Sequence, residues 1–103
     1  MVKDLNKRLL FICNQGLNRS PTAAEMALEK GYEAKSTGLE GLTRQDLDWS
    51  DEVIVMEASH RKFIADNFPK QYLEKKITVL DIPDIYRKGQ PALVRLLRQK
   101  LNY

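Results

Sequence analysis

Apolar positions along the chain follow two alternating rhythms. Arg8 to Cys13 carries a continuous run, Leu9-Leu10-Phe11-Ile12, that stops at Asn14-Gln15-Gly16, so it reads as a buried strand followed by a loop. Ser20 and Pro21 then supply a helix start, an N-cap with proline at the first helical position, and Thr22 to Lys30 continue as helix until Gly31. A second strand is expected over Tyr32 to Ser36, and a third over Asp51 to Met56, which holds the β-branched run Val53-Ile54-Val55. Thr37 to Asp48, between them, reads as a loop with one helical turn. Ser59 caps an expected helix through Asn67, with Phe63, Ile64 and Phe68 on one side, ended by Pro69. Ile77 to Leu80 reads as a fourth strand, and the spacing of Leu93, Val94, Leu97 and Leu101 after Pro91 predicts a final helix packed on the sheet.

This alternation predicts an α/β fold. The expectation is a single domain over 1–103, a parallel sheet of about four strands with helices on both faces, and function at the C-terminal edge of the strands. That edge collects the loop after Cys13, the Ser36 loop, the Met56 to Ser59 loop and the Asp81 to Gln90 loop.

Composition narrows the chemistry. The apolar runs are far too short to span a bilayer, and the N-terminus carries Lys3, Asp4, Lys7 and Arg8 without an apolar signal core, so a cytoplasmic protein is expected. One cysteine and one histidine cannot supply four ligands, which argues against both a zinc cluster and a disulfide framework. No metal or cofactor is expected. The net charge of +3 is spread along the chain and interleaved with acids, so nucleic acid is a weak reading, while a positive balance suits an enzyme that attracts a phosphate.

The informative stretch is Cys13-Asn14-Gln15-Gly16-Leu17-Asn18-Arg19-Ser20-Pro21, between a strand and a helix start. Five residues between Cys13 and Arg19 suffice to wrap backbone N–H groups around a tetrahedral anion. Gly16 supplies the freedom such a loop needs if φ turns positive. Thiols at helix N-termini ionise readily and act as nucleophiles. Arg19 presents a planar fork for two phosphate oxygens, and Ser20 can donate a hydrogen bond to the cysteine sulfur. Each residue alone also fits a structural role; the conjunction of spacing and context points to a phosphate cradle lined by Asn14, Gln15, Gly16, Leu17, Asn18 and Ser20.

The Cys-x5-Arg-Ser-Pro loop after the first strand resembles the signature of the low-molecular-weight protein tyrosine phosphatase family. Ser36-Thr37-Gly38 is similar to that family's Ser-Ala-Gly turn, and Ile82-Pro83-Asp84-Ile85-Tyr86 to its acid loop. The resemblance runs from about Arg8 to Met56 and from Ile77 to Leu97, by the usual tolerance on element boundaries. Three departures stand out: Gly16 where members often carry Asn, Asn18 in place of a second cysteine, and Ile85 where the acid loop usually has proline.

The resemblance implies a phosphatase that works through a phosphocysteine. In that scheme Cys13 is the nucleophile, Arg19 the clamp and Asp84 the general acid, matching the family's Asp-x-Tyr order, with Asp81 as the alternative acid. Leu17 and Tyr86 are candidate walls of the substrate slot. Leu17 stands where phosphotyrosine-specific relatives carry an aliphatic residue and phosphoarginine-specific ones a threonine, which favours a phosphotyrosine-like ester. The expected partner is a phosphorylated protein or a small phosphomonoester. Two rivals remain: a noncatalytic phosphoanion-binding module, and an arsenate reductase using an external thiol. His60 is expected on the exposed first turn of a helix with no catalytic role, Trp49 as core packing, and Ser36 as a support of the phosphate loop or a simple turn residue.

Overall fold

A computed structural model describes residues 6–102; Lys3 and Asp4 lie outside them. The strands are β1 (Arg8–Cys13), β2 (Glu33–Gly38), β3 (Glu52–Val55) and β4 (Lys76–Val79), and the helices α1 (Arg19–Glu29), α2 (Arg44–Trp49), α3 (Ala58–Asn67), α4 (Pro69–Glu74) and α5 (Pro91–Leu101). All strand pairs are parallel, in the order β2-β1-β3-β4, so the α/β expectation holds. The order reverses direction between β1 and β3, the place where open α/β sheets bind ligands.

Period-two alternation along β1 assigns its two faces. Leu9, Phe11 and Cys13 pack with Ala23, Ala24 and Ala27 of α1 and with Leu93 and Leu97 of α5. Leu10 and Ile12 face the other way, onto Leu47 of α2 and Ile64 of α3. Leu10, Phe11 and Ile12 are fully buried, each contributing about 1.5–3 kcal/mol by leaving water. Such a core fixes β1 rigidly, and with it Cys13. No helix among the described residues is long and apolar enough to cross a membrane.

Local chemistry moved several boundaries. Helix α1 starts two residues early, at Arg19, after an Asn18 N-cap that makes no side-chain cap bond, so Ser20 lies inside the helix rather than capping it. Strand β2 runs to Gly38, two residues past its expected end. Thr43 and Asp46 form a reciprocal capping box that turns the expected loop into α2. Glu57 rather than Ser59 is the N-cap of α3, again in a reciprocal box, with His60. Pro69 ends α3 but also opens α4, since proline suits the first turn of a helix.

Candidate active site

Cys13 ends β1 with its sulfur 3.1 Å from the Ser20 hydroxyl and 3.5 Å from the Ser20 backbone N–H. Ser20 Oγ also lies 3.3 Å from the Thr37 carbonyl. One hydroxyl proton thus serves two acceptors. With a thiol the S–H donates to Ser20 and the hydroxyl to Thr37; with a thiolate the hydroxyl turns to sulfur.

Between Cys13 and Ser20 the loop packs backbone to backbone on the end of β2. Gly16 has φ +72°, and a Cβ there would stand 2.5 Å from the Gly38 nitrogen, while a Cβ on Gly38 would stand 2.5 Å from the Gln15 carbonyl carbon. Both positions therefore exclude side chains. The Asn14 carbonyl accepts from the Leu39 N–H at 3.0 Å, so Thr37 and its two successors support the loop; Ser36 is exposed and has no part in it.

Arg19 reaches across the loop and is 1% exposed. Its Nη1 donates to Glu57 Oε2 and to the Ile82 carbonyl, both at 2.6 Å. Asp84 Oδ1 lies 3.6 Å from Nε, close enough for an ion pair but too long for a hydrogen bond. Nε and Nη2, which share one edge of the guanidinium, are buried without a hydrogen-bond partner. A buried donor left unpaired costs about 1–3 kcal/mol, so the fold holds two at a cost that a bidentate oxyanion would remove.

His60 corrects the sequence reading. It is fully buried, because α3 begins on the crevice side of β3 rather than in solvent. The Glu57 N–H donates to His60 Nδ1 at 3.1 Å, which leaves the ring proton on Nε2, 3.0 Å from Asn14 Oδ1. The imidazole thus ties the phosphate loop to the residue that holds Arg19. Burial lowers the His60 pKa below its ordinary 6.5; the nearby Glu57 and Asp84 carboxylates oppose that shift and Arg19 adds to it.

The Met56 to Ser59 loop is expected at the crevice, but Glu57 carries no expected role there, and His60 is expected exposed and without one. The residue pair three apart at a helix start was the available signal.

The remaining candidates spread along the rim. Gln15 is exposed. Leu17 and Ile85 are exposed apolar side chains in the two facing loops, while Tyr86 is half-buried against the α1 and α5 core. Asn18 Oδ1 accepts from the Lys88 N–H at 3.0 Å. Asp81 is exposed with φ +57° and forms no ion pair with Arg19, in contrast to Asp84. Trp49 is half-buried at the α2 edge of the core, with Lys35 Nζ 4.4 Å from its ring centre. A cavity of about 320 Å³ beside α4, lined by Arg44, Asp48 and Lys70 among others, shares no residue with these loops.

No family model matches the sequence, and no curated protein is similar to it at the level of sequence. Solved structures are. Tyrosine phosphatase Wzb from Escherichia coli K30, in complex with phosphate, superposes with TM-score 0.77 at 21% identity over 94% of each chain. YwlE arginine phosphatase from Geobacillus stearothermophilus gives TM-score 0.73 at 22% identity, covering 93% of this chain and 86% of its own. A low-molecular-weight phosphotyrosine phosphatase from Vibrio cholerae O395 gives TM-score 0.69 at 17% identity, covering 92% of this chain and 90% of its own. With its four parallel strands in place and a cysteine loop after the first, this chain has the fold of the bacterial low-molecular-weight tyrosine phosphatases.

Proposed function

We propose that the chain is a cysteine-dependent phosphatase that hydrolyses phosphate monoesters, with phosphotyrosine-like aryl esters as substrate class. The observation that carries this reading is the unpaired Nε and Nη2 edge of buried Arg19, in the loop that begins at Cys13, with Asp84 3.6 Å from Nε. A side-on fork binds two equatorial oxygens of a phosphoryl group. Loop N–H groups and the start of α1 add positive potential.

Cys13 attacks phosphorus as thiolate and Asp84 protonates the departing ester oxygen, giving phosphocysteine and the free alcohol. Water then attacks phosphorus with the Asp84 carboxylate as base, and the sulfur leaves as thiolate while Ser20 donates to it. Inorganic phosphate is released, and no cofactor takes part. A solved YwlE variant with serine in place of cysteine carries a phosphorylated active-site serine, which supports the covalent step by analogy.

Exposed Leu17 and Ile85 offer apolar contact to an aryl group beside the anion site. The substrate is a phosphorylated protein or small aryl phosphate in the cytoplasm. Incubating the purified protein with nitrophenyl phosphate and with a phosphotyrosine peptide tests the reading. Hydrolysis of both, blocked by vanadate, is the expected result. Binding of vanadate without turnover would replace the enzyme with a phosphoanion-binding module.

A further inference from the structure

The segment from Asp81 to Gln90 has no helix or strand, yet it must hold Asp84 beside Arg19. On one side Asp84 is anchored two residues upstream. Ile82 is fully buried, its N–H donates to the Met56 carbonyl at 2.9 Å, and its carbonyl accepts from Arg19 at 2.6 Å.

The downstream anchor lies at the start of α1. Gln90 N–H donates to the Arg87 carbonyl at 3.1 Å and Arg87 N–H to Gln90 Oε1 at 3.0 Å, closing a turn. The two N–H groups inside that turn point at α1. Lys88 N–H donates to Asn18 Oδ1 and Gly89 N–H to Thr22 Oγ1, both at 3.0 Å. Thr22 Oγ1 passes its own proton to the Asn18 carbonyl at 2.7 Å, so the hydroxyl links the turn to the last residue before Arg19. Chains of hydrogen bonds of this kind strengthen one another. Lys88 Nζ adds an ion pair with Glu25 at 3.0 Å, which is exposed and contributes little. Thr22 itself is 2% exposed and its role is not explained by helix propensity, which threonine lowers.

We infer that Thr22 and Asn18 are positioning residues: together they clasp the turn at Lys88 and Gly89 to the phosphate loop, and so seat Asp84 over the anion that Arg19 binds. Between the two hydrogen-bonded anchors run only residues 83–87, each able to extend at most about 3.3–3.6 Å, with Tyr86 partly buried against the α1 and α5 core as the one apolar contact between them. Releasing the downstream anchor lets Asp84 swing off the leaving-group oxygen, while the cradle around Cys13 keeps the Thr22 N–H bond to the Asn18 carbonyl, at 3.3 Å, when the hydroxyl is removed. The effect on rate rests on the phosphatase reading; the clasp itself does not.

Thr22→Val removes the hydroxyl at nearly constant volume, and Thr22→Ser restores it. Thr22→Val is expected to lower kcat on phenyl phosphate about tenfold, a share of the 10²–10⁴ that a general acid supplies, and kcat on nitrophenyl phosphate less than twofold. Thr22→Ser is expected within twofold of the parent on both esters, and vanadate affinity is expected to stay within twofold in all three proteins. In parallel, hydrogen exchange of the Lys88 and Gly89 amides is expected to be slow in the parent and in Thr22→Ser, and fast in Thr22→Val. Equal loss on both esters, or none, overturns the positioning role. Unchanged exchange at Lys88 and Gly89 overturns the clasp. A parent protein that hydrolyses neither ester sinks the phosphatase reading instead, and the exchange data still decide the clasp.

Discussion

The two loops that meet at Arg19 are built by opposite means. The phosphate loop follows a strand with no exposed core residue and is locked by glycine contacts with β2, by the His60 to Asn14 bond and by the pairing of buried Arg19 with the partly exposed Glu57. The acid loop is exposed for most of its length, hydrogen-bonded at its two ends and packed on the core between them only by Tyr86. Clamping an anion and delivering a proton both require positioned groups, but only the second depends on how poor the leaving group is. Under the proposed function the first loop carries the nucleophile and the clamp, and the second carries the general acid.

Damage to the rigid loop should therefore be indifferent to the leaving group. Cys13→Ser is expected to leave no measurable steady-state turnover with any ester while still binding vanadate, checked by phosphate release and by titration; substantial residual hydrolysis would take the nucleophile away from Cys13. Arg19→Lys keeps the charge and loses the fork, and a fall of roughly 10²–10³-fold in kcat is expected on every ester. Parental rates in that variant would contradict the clamp.

Damage to the acid loop should be graded. Asp84→Asn is expected to slow phosphotyrosine or alkyl esters by roughly 10²–10⁴-fold and nitrophenyl phosphate much less. Asp81→Asn should show no such grading, and the reverse pattern would move the acid to Asp81.

The smallest effects concern stability. Gly16→Ala forces a Cβ into a left-handed position and against Gly38, and is expected to cost about 1–2 kcal/mol or more in denaturant unfolding. For His60 the native pKa is lowered, so the unfolded chain takes up the proton first as pH falls below 6.5, and stability declines from there down through the native pKa. His60→Gln, which keeps a donor for Asn14 but does not titrate, should flatten that decline. An unchanged slope would mean that other groups set it.

How much of this was legible follows the same division. β1, Cys13 and Arg19 could be read because one apolar run, one loop signal and one spacing fixed them, and backbone geometry then did the rest. Asp84 was legible only as one of two aspartates, since a loop without periodicity leaves no pattern to read; its proximity to Arg19 is a tertiary fact. His60 was misjudged because helical position was read without knowing which side of α3 faces the crevice. Thr22 looked like an ordinary helix residue, and its hydroxyl acquires a partner only through a turn almost seventy residues away, between Thr22 and Gly89.

The proposed function turns on a covalent phosphocysteine at Cys13. Protein turning over nitrophenyl phosphate, quenched in acid and digested, is expected to yield the Cys13 peptide carrying one phosphoryl group, absent when vanadate is present before substrate. Steady turnover with that peptide unmodified, or with the phosphoryl group on another residue, would contradict it.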